Sequence, residues 1–134
     1  MLRKLLSVFA VLSFVALAPS VTQARSQPIE PVYKPDVIQV PAGYTLASVK
    51  RAIRKGMYLK EWQIREAKPN VLEGMYLKGE KYSITVEVEY SDKAVTIRYK
   101  DSAGLDYSGG AIHRTYNERI LSLEKAIRAE LDAF

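Results

Sequence analysis

Tyr82-Ser83-Ile84-Thr85-Val86-Glu87-Val88-Glu89-Tyr90 carries an apolar or aromatic side chain at every second position, with Ser, Thr and Glu between them. A repeat of two is that of a pleated strand, so Tyr82, Ile84, Val86, Val88 and Tyr90 share a dry face and the intervening residues a wet one. A strand that is wet on one side belongs in an antiparallel sheet. Residues 94–100 continue the pattern, Val95, Ile97 and Tyr99 alternating with Thr96, Arg98 and Lys100 beyond a turn at Asp92-Lys93. Pairing Tyr90 with Val95 then sets Val88 against Ile97 and Glu87 against Arg98, which matches apolar with apolar and opposite charges.

Working backwards, the turns Gly79-Glu80 and Pro69-Asn70 separate two further strands, 71–77 and 61–67, and complete a four-stranded antiparallel meander. Segment 71–77 offers two faces. Leu72, Gly74 and Tyr76 are expected inside, because the other choice would bury Glu73, and an inward Gly74 lets a helix approach the sheet closely. Met75 and Leu77 then lie on the open face, where with Tyr58 and Val71 they could form a modest apolar patch.

Two helices flank the meander. Thr45 caps a first helix over 46–55 with Leu46, Val49 and Ile53 on its buried side and Gly56 as its stop. Lys50, Arg51, Arg54 and Lys55 cover its outer face and last turn, a candidate anion-binding set whose bland reading is a solvated face opposite the helix dipole. Gly56-Met57-Tyr58-Leu59-Lys60 recurs as Gly74-Met75-Tyr76-Leu77-Lys78. With no other recurrence at that spacing, the match reads as coincidence. The second helix starts near Ala111, after Ser108-Gly109-Gly110, and spaces Ile112, Tyr116, Ile120, Leu123, Ile127, Leu131 and Phe134 by three and four. Arg114 with Glu118, and Glu124 with Arg128, stand four apart on its wet side. The fold expected is therefore α+β, a two-layer sandwich of helix, meander and C-terminal helix with both helices on one sheet face.

The chain has 134 residues, no cysteine and a net charge of +5. Arg3 and Lys4 precede an uncharged apolar stretch, Leu5 to Ala18, that runs into Thr22-Gln23-Ala24. This reads as a secretory signal peptide over 1–24 cleaved after Ala24, the apolar stretch being shorter than the roughly 20 residues a spanning helix needs. Cleavage takes Arg3 and Lys4 with it and lowers the net charge from +5 to +3. So mild an excess does not mark a nucleic-acid binder. Without cysteine there is neither a disulfide nor a lipid-bearing residue at the processing site, so the product is expected to be periplasmic or secreted, with no stable membrane insertion. Pro28, Pro31, Pro35 and Pro41 make 25–43 an extended tether or edge segment, leaving 44–134 as a single domain.

No motif names a reaction. Asp101, Ser102 and His113 are the residue types of a hydrolase triad, but no Gly-x-Ser-x-Gly turn surrounds Ser102. One histidine and no recognisable acidic ligand spacing leave no metal site, and there is no phosphate loop or dinucleotide fingerprint, so no cofactor is expected. Asp101, Ser102, Tyr107, His113, Tyr116 and Asn117 nevertheless crowd one strand-to-helix connection, and form the candidate binding site. His113 and Asn117, four apart, are expected on one side of the helix.

Tyr99-Lys100-Asp101-Ser102, Leu105, Tyr107, Ile112-His113 and Tyr116-Asn117 resemble the signature of a family of small exported bacterial envelope proteins and lipoproteins of unknown function. Trp62-Gln63-Ile64, Pro69-Asn70 and Pro41-Ala42-Gly43 fit the same pattern, which extends over about residues 40 to 131. Arg119 stands where that family usually has an aromatic and Thr115 where it commonly has asparagine. The resemblance implies a helix, a four-stranded sheet and a closing helix in an envelope protein. The functional expectation is a non-enzymatic accessory protein that binds an envelope partner, protein or anionic glycolipid. The alternatives are an electrostatic binder of an anionic surface through the first helix and, remotely, a hydrolase using Ser102 and His113.

Overall fold

The computed structural model describes residues 28–133; the expected leader and Phe134 lie outside them. In chain order the elements are β1 (Ile29–Pro31), β2 (Ile38–Gln39), α1 (Leu46–Leu59), β3 (Gln63–Lys68), β4 (Val71–Lys78), β5 (Tyr82–Tyr90), β6 (Ala94–Ala103), β7 (Ala111–His113) and α2 (Arg114–Asp132). A five-stranded antiparallel sheet runs β2-β6-β5-β4-β3, and β1 pairs with β7 in a separate ribbon. The expected register holds: Tyr90 faces Val95, Val88 faces Ile97 and Glu87 faces Arg98. The ion pair of Arg98 is diagonal, however, reaching Glu89 at 2.9 Å, while Glu87 shares Lys100 at 3.6 Å.

Two features extend the expected meander. At Lys100 the β6 strand holds one extra residue, since Tyr99 pairs with Val86 and Asp101 with Thr85. This bulge keeps Tyr99 and Ser102 on the dry face and leaves Asp101 on the open one, as two residues of one strand oppose one of the other. The fifth strand comes from the proline-rich segment, where Ile38 is buried opposite Val95 and Val40 N–H donates to the Lys93 carbonyl at 2.9 Å. Pro41 follows and ends the pairing. From Ile29 onward this segment is an edge piece built into the fold.

The first helix is longer than its sequence pattern suggests. A reciprocal Thr45–Ser48 capping box starts it, but it passes through Gly56 to Leu59. Gly56 serves another purpose: a Cβ there would stand 3.1 Å from the Ile127 backbone nitrogen, so the missing side chain lets α1 and α2 touch. The stop is Glu61, held at φ 67°. Its N–H bonds the Tyr58 carbonyl and the Trp62 N–H the Met57 carbonyl, both at 3.0 Å, the paired bonds of a Schellman ending. Trp62 also packs with Met57 in the core.

The second helix starts at Arg114 instead of Ala111, because Ala111–His113 is taken up by pairing with β1. Its stripe of Tyr116, Ile120, Leu123, Ile127 and Leu131 is buried throughout. Glu124 is buried as well, contrary to a wet position, and takes two bonds from Arg128 at 2.9 and 3.1 Å. Arg114 turns away from Glu118 to Glu30.

Both helices sit on the dry face, where Val49, Ile53 and Met57 of α1 and the α2 stripe meet Leu72, Tyr76, Ile84, Val86 and Val88. Each such fully buried side chain contributes about 1.5–3 kcal/mol. Gly74 is inside as expected, and a Cβ there would collide with Met57 Cε of α1. Met75 and Leu77 are exposed on the open face, whereas Tyr58 projects from α1 in the other layer, so the four-residue apolar patch does not form. Glu73, on the open face, is nonetheless covered, by Lys100 at 2.5 Å and Arg65 at 2.9 Å. Among the described residues no helix is long and apolar enough to cross a membrane.

Candidate functional site

The connection from β6 to α2 is shaped by left-handed residues. Gly104 has φ 75°, and a Cβ on it would strike the Lys81 carbonyl. Asp106 follows at φ 54°, then Gly109 and Gly110 at 57° and 79°. Two consecutive positive φ values between the bonded pair Ser108 and Ala111 make a type I′ turn, so this stretch is a tight hairpin. The fold-back buries Leu105 and lays the Tyr107 ring on Tyr99, centroids 4.3 Å apart and 21° between planes. Tyr116 meets Tyr99 edge-on at 5.5 Å, and the Tyr99 and Ser102 hydroxyls hydrogen-bond at 2.9 Å. Burial pushes the Tyr116 phenol well above its ordinary value, so it stays neutral.

The rest of the polar cluster is spent on the N-terminal strap. His113 ends β7 and caps α2, its Nδ1 accepting the Thr115 N–H at 2.9 Å. It therefore precedes the helix that was expected to carry it. Asn117 Oδ1 accepts the Tyr33 N–H at 2.8 Å, and its Nδ2 donates to the Pro31 carbonyl at 2.9 Å and to Glu30 at 3.1 Å. Arg114 Nε donates to the other Glu30 oxygen at 2.9 Å. Arg114, then Asn117, hold that carboxyl below its usual range. The Tyr33 hydroxyl donates to Glu124 at 2.6 Å, which raises its own pKa. Asn117, Arg114 and Glu124 thus clamp residues 30–33 to α2.

The six candidates are split by this arrangement. Tyr107, Tyr116 and Ser102 gather around Tyr99; His113 and Asn117 cap and clamp; Asp101 lies on the open sheet face. No hydrogen bond among the described residues links Ser102, His113 and Asp101, so the triad types are not assembled as a relay. The basic set of α1 is largely paired: Lys50 contacts Glu66, with Arg54 at 3.9 Å from the same carboxylate, and Lys55 lies 3.3 Å from Glu130. Lys50 lowers the Glu66 pKa. Arg51 alone of the four has no ion pair among the described residues. Nor does any group of three or more metal-ligating side chains occur among them.

What the clamp and the Tyr99–Tyr107 stack create together is a cleft of about 520 Å³. Val32, Tyr33, Lys34 and Pro35 form one wall, Thr96 to Tyr99 of β6 the other, with Tyr107 and Gly110 at one end. Its lining includes two cations, Lys34 and Arg98, and no carboxylate. Of the expected site only Tyr107 lines it. Reading the sequence locally missed Tyr33, Lys34, Arg98 and Tyr99 as cleft residues, although an aromatic and a lysine inside a proline-rich run were a visible signal. No protein-family model, curated protein or solved structure matches the chain.

Proposed function

We propose that this chain is an exported, non-enzymatic accessory protein of the cell envelope that binds a partner in the cleft between the strap and β6. The observation that carries the reading is the cleft itself, walled by two distant parts of the chain and lined by a stacked tyrosine pair whose outer member, Tyr107, is half exposed. Amphipathic aromatics held rigid beside cations, here Lys34 without an ion pair among the described residues and Arg98 with one, are typical of binding surfaces. Export rests on the leader-like residues 1–24, and the resemblance to small envelope proteins points the same way.

The test is a titration of isotope-labelled residues 25–134 with soluble envelope fractions, read from backbone amide shifts. Shifts centred on 32–35, 96–99 and 107–110, lost in a folded Tyr107→Ala variant, are expected. Shifts confined to 50–55 that vanish with added salt would instead favour electrostatic binding of an anionic surface through α1. The pairing of Lys50, Arg54 and Lys55 with Glu66 and Glu130 leaves that second reading less support.

A further inference from the structure

Hairpin geometry assigns a direction to the main-chain groups of β6. Ser91 N–H donates to the Ala94 carbonyl at 2.9 Å, which makes residues 91 and 94 a hydrogen-bonded pair. Alternation then makes Tyr90/Val95, Val88/Ile97 and Val86/Tyr99 non-hydrogen-bonded pairs, whose N–H and C=O groups point away from each other. Tyr90 obeys this, its N–H turning from β6 to the Asn70 carbonyl at 3.0 Å. On β6 the same rule sends the groups of Val95, Ile97 and Tyr99 to the outer edge of the sheet.

The β2 strand takes up only the first of these, pairing Ile38 with Val95. Continued in the same register, the chain would bring Asp36 opposite Ile97 and Lys34 opposite Tyr99. Instead it leaves the edge at Pro35, which has no N–H, and the donors of Val32 and Tyr33 are committed to the Gly110 carbonyl and to Asn117. No hydrogen bond from a described residue reaches the outward groups of Ile97 and Tyr99. These are the residues that line the cleft opposite the strap.

We infer that the cleft is a peptide site: an extended, acidic segment of another protein adds to β6 alongside Ile97 and Tyr99, under the strap. This deepens, and rests on, the reading of the cleft as the binding site. A strand edge recognises main chain, which only an extended polypeptide can supply in the alternating spacing required. The acidic preference follows from the lining, where Lys34 has no ion pair among the described residues and Arg98 carries a single one, to Glu89. The Tyr99–Tyr107 stack provides an apolar wall for one side chain of the incoming strand.

The probe is a capped peptide of about seven residues alternating valine and glutamate, compared with a copy N-methylated at every second residue so that one edge cannot donate. Hydrogen exchange of residues 25–134 is followed by NMR. The unmodified peptide is expected to slow exchange at the Ile97 and Tyr99 amides about tenfold or more, the methylated copy to leave them unchanged. Lys34→Glu should weaken the unmodified peptide about fivefold. Equal protection by both peptides, or no protection at Ile97 and Tyr99, overturns the inference. If envelope fractions still shift the cleft amides through Tyr107 in that case, the binding site stands and only its peptide ligand is lost; if they do not, both readings fall.

Discussion

Gly-Met-Tyr-Leu-Lys is written twice in this chain, and the two copies bury opposite residues. In the first, at the end of α1, Met57 is 0% exposed and Tyr58 75%. In the second, within β4, Met75 is 36% exposed and Tyr76 4%. The other three positions behave alike: Leu59 and Leu77, Lys60 and Lys78 are exposed, and both glycines are buried at points of close approach, Gly56 against Ile127 and Gly74 against Met57. The difference lies in the flanks. Val49 and Ile53 stand eight and four residues before Met57, a helical stripe, whereas Leu72 and Gly74 stand four and two before Tyr76, a strand face. Five identical residues specify nothing until the period around them is set.

The largest expected effect separates the copies outright. Tyr76 packs between Trp62 at 5.5 Å and Tyr82 at 6.1 Å, with the Arg119 guanidinium 4.6 Å from its ring centre. Tyr76→Ala should therefore cost about 3–5 kcal/mol and Met57→Ala about 2–5 kcal/mol, while Tyr58→Ala and Met75→Ala stay within about 0.5 kcal/mol. Urea unfolding of the four variants measures this, and equal losses at Tyr58 and Tyr76 would refute the burial assignment.

A second, smaller effect joins the copies, because Gly74 of one packs on Met57 of the other. Gly74→Ala overpacks this contact, with Trp62 Cε3 at 3.3 Å leaving little room to yield. In a Met57→Ala background the added methyl finds space. A double-mutant cycle should give a coupling of about 1–2 kcal/mol, the double variant losing less than the sum of the singles. Additive losses would mean that the helix does not rest on Gly74.

The smallest effect concerns the charge that precedes each copy. Lys55 is an exposed partner of Glu130, but Glu73 is covered by Lys100 and Arg65. Lys100 above all, with Arg65, holds the Glu73 carboxyl below its ordinary value of 4.5 against the opposing effect of burial. A carboxyl with a lowered folded pKa stabilises the fold fully above its unfolded value and loses that contribution as pH falls through the folded one. Stability is thus expected to decline as pH drops below about 4.5. Glu73→Gln should lose about 1 kcal/mol at neutral pH and flatten part of that decline, whereas Lys55→Gln should leave the slope unchanged. Glu30 and Glu66, also lowered, keep a residual slope in both variants.

The meander was legible because alternation and turn chemistry agree: residues 82–90 and 94–100 dictate each other's register, and Asn70, at φ 63°, accepts the left-handed place beside Pro69. The end of α1 was not, since Gly56 looks like a stop until Ile127 occupies the space beside it, and a glutamate at 61 is an uncommon residue for the left-handed position. The site was legible as a place and misread as a unit. Its polar members were visible together between 101 and 117, but His113 and Asn117 are committed to a cap and to residues 31–33, partners that sequence spacing cannot reveal.

Sequence by itself determined the layers of this protein, because helix and strand periods are local properties written within ten or twenty residues. Only the tertiary structure decided where the proline-rich segment lies. That depends on hydrogen bonds that Tyr33 donates to Asn117 and Glu124, more than eighty positions away along the chain, which hold it beside β6 and so create a cleft that neither stretch contains alone.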